Sequence, residues 1–266
     1  MKAPVVTNGL ARQISRSLGH CELLHLPRQG FNLPRAMLQQ AAYIAALEEL
    51  GVVMSILPED PALPDSCFVE DPVIILDELA VICRLGKTSR EPEAAGIERE
   101  VAKIRRVRKI VAPGTLEGGD VLQIGKRLFV GLSSRTNLAG LRQLEEVVLP
   151  FGYRVTCVKV NGCLHLKTGV TSPADGILLA NPDWIDLSPF SKMEVLRVPA
   201  KEPWGANTLA VNGTVLAAES SPRTAAILEA KGLRVERLDI SELQKAEAGL
   251  TCLSVLHRCL ESGRHE

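Results

Sequence analysis

The stretch EAGLTCLSVLHR, residues 247–258, sets Cys252 among small and uncharged neighbours. A thiol attacks as thiolate, and a free one is only a few per cent ionised at neutral pH, so it needs a nearby cation and a proton carrier. His165 in LHLKTG is suited to carry the proton, and Glu117 in TLEGGD to orient the imidazole and favour its charged form. Three carboxylates, Asp65, Glu70 and Asp71, crowd PDSCFVEDP just before an apolar run. Carboxylates that close repel one another unless a cation sits between them. A guanidinium suits that place, because its planar fork of donors matches paired carboxylates. Arg90 in TSRE and Arg135 in SSRTN could meet the carboxylate of such a ligand. Each residue also has a plainer reading. A lone cysteine in an apolar strand is most often packing, and an acidic pair most often lies in a solvated turn.

What separates the readings is whether the fold brings these residues together. Four close strand pairs, PVIILDELAVICR, DVLQIGKRLFVG, GVTSPADGILLA and NTLAVNGTVLAA, each break at a polar or glycine-containing turn. Helical patterns cover residues 34–50, 90–107, 136–148, 222–231 and, more weakly, 241–245. Each unit reads as polar residue, strand, turn, strand, helix, strand. The residues that open the units are Glu70, Glu117, His165, Asn207 and, with the last strand, Cys252, at spacings of 47, 48, 42 and 45. A module of that length leaves an apolar face that only its neighbours cover, which points to a closed ring of five. Equivalent positions then converge on the axis. The last module lacks chain after Cys252, and VVTNGLARQISRSL with the helix after it is expected to complete it. On this pattern Cys163, two residues before His165, would share its strand face, and Cys259 would lie in a mobile tail.

At 266 residues and 46% hydrophobic, the chain can bury a sizeable core, and no linker divides it, so residues 1–266 are read as one domain. Lys+Arg and Asp+Glu number 31 each, so no global field favours nucleic acid or an anionic membrane, and a small-molecule partner is expected. No membrane span or signal peptide is evident, and the cytoplasm is the expected compartment. Seven cysteines without a CxxC pair read as reduced thiols. Cys157, Cys163 and His165 do not match a common zinc spacing, so no metal is expected. Assembly is expected to be monomer or homodimer.

Taken together, PDSCFVEDPVI, TSRE, TLEGGDVLQIGKRLFVGLSSRTN, LHLKTGV and GLTCLSV resemble the dimethylarginine dimethylaminohydrolase (dimethylargininase) family, within the amidinotransferase superfamily of guanidino-group-modifying enzymes. The resemblance implies a five-bladed α/β-propeller, the pentein fold, of ββαβ modules around a central active site. It implies Cys252 as nucleophile, His165 as general acid and base, and Glu117 as the residue that orients it, where many relatives have aspartate. Asp65, Glu70 and Asp71 would hold the guanidinium, and Arg90 and Arg135 the amino-acid carboxylate. The implied reaction hydrolyses an N-omega-methylated arginine to citrulline and an amine through a covalent thiouronium, with no cofactor. The loop that covers the site in the family corresponds to HCELLHLPRQGFNLPR, where Leu23 is the nearest counterpart of the residue that touches substrate. Glu91 replaces the second arginine that commonly follows the TSR position. Within the same chemistry the alternatives are a deiminase of arginine or another guanidino compound, or an amidinotransferase. A non-catalytic guanidinium-binding protein would be expected to lack the cysteine or histidine.

Overall fold

The computed structural model describes residues 5–259. Among the described residues fifteen strands form five three-stranded sheets, each with one antiparallel and one parallel pairing. The first sheet joins the two ends of the described chain: β1 (Asn8–Arg12) runs parallel to β2 (Val53–Leu57) and antiparallel to β15 (Val255–His257). The N-terminal segment thus completes the last module. The second sheet is β3 (Val73–Ile75), β4 (Ala80–Ile82) and β5 (Val107–Lys109), and the third is β6 (Val121–Ile124), β7 (Arg127–Leu132) and β8 (Arg154–Lys159). The fourth holds β9 (Val170–Ala174), β10 (Ile177–Ala180) and β11 (Glu194–Arg197). The fifth holds β12 (Leu209–Val211), β13 (Thr214–Ala218) and β14 (Arg234–Leu238).

Helices link the second and third strands of most modules: α1 (Leu33–Glu49), α2 (Glu93–Val101), α3 (Leu138–Val148) and α5 (Pro222–Ala230). Two shorter ones are α4 (Leu166–Gly169) and α6 (Ser241–Gln244). Local signals set their ends. Asn137 caps α3 by accepting from Gly140 N at 2.8 Å, and Gly152, at φ 79°, turns the chain out after the helix. Leu141, Leu144 and Val148 form the buried stripe of α3. Leu144 is fully buried, and its truncation to alanine would cost about 2 to 5 kcal/mol. The helical pattern over 90–107 is only partly realised: Thr88–Arg90 is a 3-10 turn, Pro92 caps the start of the helix at Glu93–Val101, and Val107–Lys109 is taken up by pairing with β4 as β5. In the fourth module the helix is reduced to a 3-10 turn, Ser188–Phe190.

The core shows why the ring closes. Five apolar clusters each span two neighbouring modules. Leu10 and Val255 meet Val73 and Ile97, Ile74 and Val81 meet Leu128 and Leu144, and Phe129 and Val158 meet Leu178 and Phe190. Leu179 and Leu196 meet Val215 and Leu228, and Leu216 and Ile240 return to Ile14 and Leu47. Every sheet therefore buries both flanks against its neighbours, and a fully buried leucine or isoleucine contributes about 1.5 to 3 kcal/mol. The fold is the five-bladed pentein α/β-propeller. Among the described residues no helix is long and apolar enough to cross a membrane.

Candidate active site

The axial residues sit on turns that lead into the first strand of each module. Cys252 lies in a 3-10 turn, Thr251–Leu253, ahead of β15, rather than on the strand itself. His165 is the extended residue before α4, and Glu117 the extended residue before a 3-10 turn, Gly118–Asp120. A turn at the axis aims side chains inward and leaves peptide N–H groups to fix them.

Glu117 is fully buried. Its Oε2 accepts from His165 Nε2 at 2.6 Å, and its Oε1 accepts from Gly86 N at 2.9 Å and faces Arg135 Nη1 at 3.5 Å. His165 Nδ1 faces Asp71 Oδ1 at 3.9 Å. The two glycines after Glu117 are required by this packing: a Cβ on Gly119 would stand 2.8 Å from the His165 ring and from Asp71 Oδ1. Asp120, in the same motif, accepts from Leu166 N at 2.9 Å and from Ser133 Oγ at 2.6 Å, which fixes the turn that carries His165.

The carboxylates expected to hold a guanidinium are buried and partnered. Glu70 Oε1 stands 2.5 Å from Lys167 Nζ, and its Oε2 accepts from Thr251 Oγ1 at 2.8 Å. Asp71 Oδ2 accepts from Arg90 Nη1 at 2.8 Å. Asp65 accepts from Glu22 N at 3.1 and 3.2 Å, tying the loop of Leu23 to this segment. Arg90 also grips Glu93 with Nε and Nη2, at 2.9 and 2.8 Å, so three of its donors are engaged with carboxylates. Arg135 is buried, and among the described residues its Nε has no hydrogen-bond partner. Leu23 packs on the apolar cluster between the first and last modules. Glu91 pairs with Arg84 at 2.8 Å.

The loop of residues 20–33 is fastened at several points. One oxygen of Glu247, Oε1, accepts from Leu24 N, His25 N and Leu26 N at 2.9, 2.5 and 2.7 Å. Arg28 donates to Cys21 O at 2.7 Å, and Ser89 donates to Glu22 at 2.6 Å. His20 and His25 lie in the same loop.

The electrostatics favour a charged imidazole and a neutral thiol. Burial would lower the His165 pKa, but Asp71 and the Glu117 hydrogen bond outweigh it and raise it to about 9. Glu117, despite burial, is held below the usual carboxylate range by that hydrogen bond and charge and by Arg90 and Arg135. Burial, with Glu70 and Asp71 beside it, pushes the Cys252 thiol far up, against the opposing pull of Gly249 N and Lys167. Among the described residues, Cys252 and His165 share no hydrogen bond. They therefore do not form a hydrogen-bonded ion pair.

Asp71, Glu117 and His165 bring ligand atoms within 4.8 Å of one another, as a metal site would. Arg90 and Arg135 already stand on the same carboxylates, so a divalent ion would have to displace guanidinium groups. Cys157 is exposed on β8, while Cys163 is buried with its thiol on His165 O at 3.3 Å, so these two and His165 form no metal cluster. Residues 161–164 are not a strand, and Cys163 does not share a strand face with His165. Cys259 N donates to Thr7 Oγ1 at 2.6 Å, so the chain is tethered there rather than trailing, and residues 260–266 lie outside the described residues. Lys167, Glu93, Asp120 and Glu247 were not singled out by the sequence patterns. Lys167 and Asp120 stood inside quoted motifs, LHLKTG and TLEGGD, as charged residues next to apolar strands.

No family model matches the chain. It is 39% identical over 250 residues to N(G),N(G)-dimethylarginine dimethylaminohydrolase of Streptomyces coelicolor, covering 92% of this chain and 95% of the relative. The enzyme of the same name from Pseudomonas aeruginosa is 36% identical over 223 residues, 83% of this chain and 88% of the relative. A crystal structure of the Pseudomonas aeruginosa protein, a cysteine-to-serine mutant complexed with citrulline, superposes with a TM-score of 0.91 at 33% identity, covering 96% of this chain and 100% of that one.

Proposed function

Because the chain belongs to the dimethylarginine dimethylaminohydrolase family, we propose that it hydrolyses N-omega-methylated arginine, asymmetric dimethylarginine or the monomethyl compound, to citrulline and dimethylamine or methylamine. The observation that carries this reading is the packing of the nucleophile turn on the carboxylate segment: Cys252 O accepts from Glu70 N at 3.4 Å and Thr251 Oγ1 donates to Glu70 Oε2 at 2.8 Å, so the thiol lies beside carboxylates that oppose its ionisation, and a guanidinium among them reverses that field.

Asp65, Glu70 and Asp71 receive the guanidinium, and Arg90 and Arg135 the α-carboxylate, with the unpartnered Arg135 Nε in support. Leu23 lies over the guest from the loop. The Cys252 thiol gives up its proton to solvent as the cation arrives, His165 being already charged, and the thiolate adds to the guanidino carbon. The tetrahedral adduct collapses with cleavage of the bond to the methylated nitrogen, and the charged His165 gives that nitrogen a proton, releasing the amine and leaving a thiouronium on Cys252. His165, now neutral, takes a proton from water as its oxygen adds to the thiouronium carbon. The C–S bond then breaks as the proton of the added hydroxyl passes to solvent, citrulline leaves and the thiolate returns. Glu117 keeps the imidazole aimed and charged. A positioned proton carrier accelerates such steps by about a hundredfold to ten-thousandfold.

The chain acts as one domain on a small guanidino amino acid in the cytoplasm, as monomer or homodimer, without a cofactor. Purified protein is expected to release citrulline from asymmetric dimethylarginine, and Cys252→Ser to abolish release without lowering the melting temperature. Arginine and monomethylarginine, assayed alongside, rank the substrates, since one methyl in an apolar pocket is worth about 1 to 3 kcal/mol. Absence of citrulline from all three would overturn the reading.

A further inference from the structure

One hydrogen-bonded circuit on the axis joins residues to which the reaction steps give little or no role. Lys167 Nζ stands 2.5 Å from Glu70 Oε1, and Thr251 Oγ1 donates to Glu70 Oε2 at 2.8 Å. Asn207 Nδ2 donates to Lys167 O at 3.0 Å and to Thr251 Oγ1 at 3.1 Å, while its Oδ1 accepts from Thr251 N at 3.2 Å. The circuit closes through four of the five modules. Lys167 is two residues past His165, and Thr251 is next to Cys252, so the turns of the proton carrier and the nucleophile are tied to each other and to Glu70. The fit is tight: a Cβ on Gly249 would lie 2.2 Å from Asn207 Cγ.

A buried carboxylate stays ionised only with a partner. Of the groups facing Glu70, Asp71 is another carboxylate, Thr251 donates a neutral hydrogen bond, and Cys252 and Tyr43 are neutral unless deprotonated. Lys167 is the cation of this set. Its side chain is 16% exposed, buried enough for the pairing to be strong and open enough to shift when a guest arrives.

We propose that Lys167 is a positioning residue of the guanidinium subsite: its ammonium keeps Glu70 ionised and aimed at the axis before substrate arrives, and Asn207 holds the Lys167 backbone and the nucleophile turn in one frame. Burial raises the Glu70 pKa and Lys167 opposes that rise, so without Lys167 the carboxylate takes up a proton at higher pH. This inference rests on the proposed guanidinium chemistry.

The test is the pH profile of kcat/KM for asymmetric dimethylarginine in Lys167→Met and Lys167→Arg. In Lys167→Met the acid limb moves up by about one pH unit, and KM at pH 7 rises about tenfold while kcat falls less. Lys167→Arg keeps the acid limb at its wild-type position. An acid limb that stays in place in a folded Lys167→Met protein, with any loss confined to kcat, overturns the proposal. If thermal melting shows that Lys167→Met does not fold, the same reading is taken from Lys167→Gln. Calorimetric binding of free arginine to Cys252→Ser, with and without Lys167→Met and followed against pH, reads guanidinium binding without turnover. If the wild type makes no citrulline, yet adding Lys167→Met to Cys252→Ser makes this binding fail at higher pH, the hydrolase reading sinks and the role of Lys167 stands.

Discussion

Glu117→Gln is the most informative single change, because it keeps size and removes a charge. The glutamine carbonyl can still accept from Gly86 N, but its amide presents an N–H to His165 Nε2, where the wild-type carboxylate accepts at 2.6 Å. The ring must then accept at Nε2, and its proton moves to Nδ1. Asp71 and Glu117 together raise the His165 pKa from the ordinary 6.5 to about 9, and at about 1.4 kcal/mol per pH unit this corresponds to about 3 kcal/mol. At pH 8 a group with pKa near 9 is about nine-tenths charged, whereas one returned to 6.5 is about 3% charged. The charged form is the one that protonates the leaving amine, so complete loss of the shift would lower kcat about thirtyfold at that pH. Asp71 keeps part of the shift, and the altered tautomer adds a further loss, so a fall of about ten- to a hundredfold is expected.

The pH signature follows from the sign of the shift. A raised histidine pKa stabilises the fold fully below about 6.5, and that contribution is lost as pH rises through about 9. Wild-type protein should therefore lose melting temperature across that window, and Glu117→Gln should show a shallower loss. The assay is citrulline release from pH 6 to 10 beside thermal melts in the same buffers. A variant whose basic limb coincides with wild type, with kcat within about threefold, would refute the role given to the Glu117–His165 pair.

Two further variants probe the turns. Gly119→Ala places a methyl 2.8 Å from the His165 ring and Asp71 Oδ1, so one of them must move; kcat should fall at least about tenfold with a stability loss of about 1 to 3 kcal/mol, read from turnover and denaturant melts. Cys163→Ala removes a buried thiol whose hydrogen bond goes to His165 O, and should cost about 1 kcal/mol while leaving kcat within about twofold; a large loss of turnover would mean that Cys163 takes part in the chemistry.

Much of this was legible along the chain. Alternating apolar runs broken at polar turns gave the strand pairs, and a constant interval between Glu70, Glu117, His165, Asn207 and Cys252 gave the ring. Strands and turns depend on neighbours a few residues away, so their signals are local. Helix ends were less legible: Pro92 caps the start of α2, and the helix stops at Val101 although the pattern over residues 90–107 runs on. The side-chain partners on the axis could not be read in this way. Lys167 meets Glu70, Asn207 meets Thr251, and Glu247 meets Leu24 N only once five interfaces have closed the ring. The same closure leaves Cys252 and His165 without a mutual hydrogen bond. A residue's type limits what it can bond, but its partner is fixed by distance in three dimensions. In a ring, residues some 40 to more than 200 positions apart become nearest neighbours, and periodicity brings them to one axis without saying which pairs will touch.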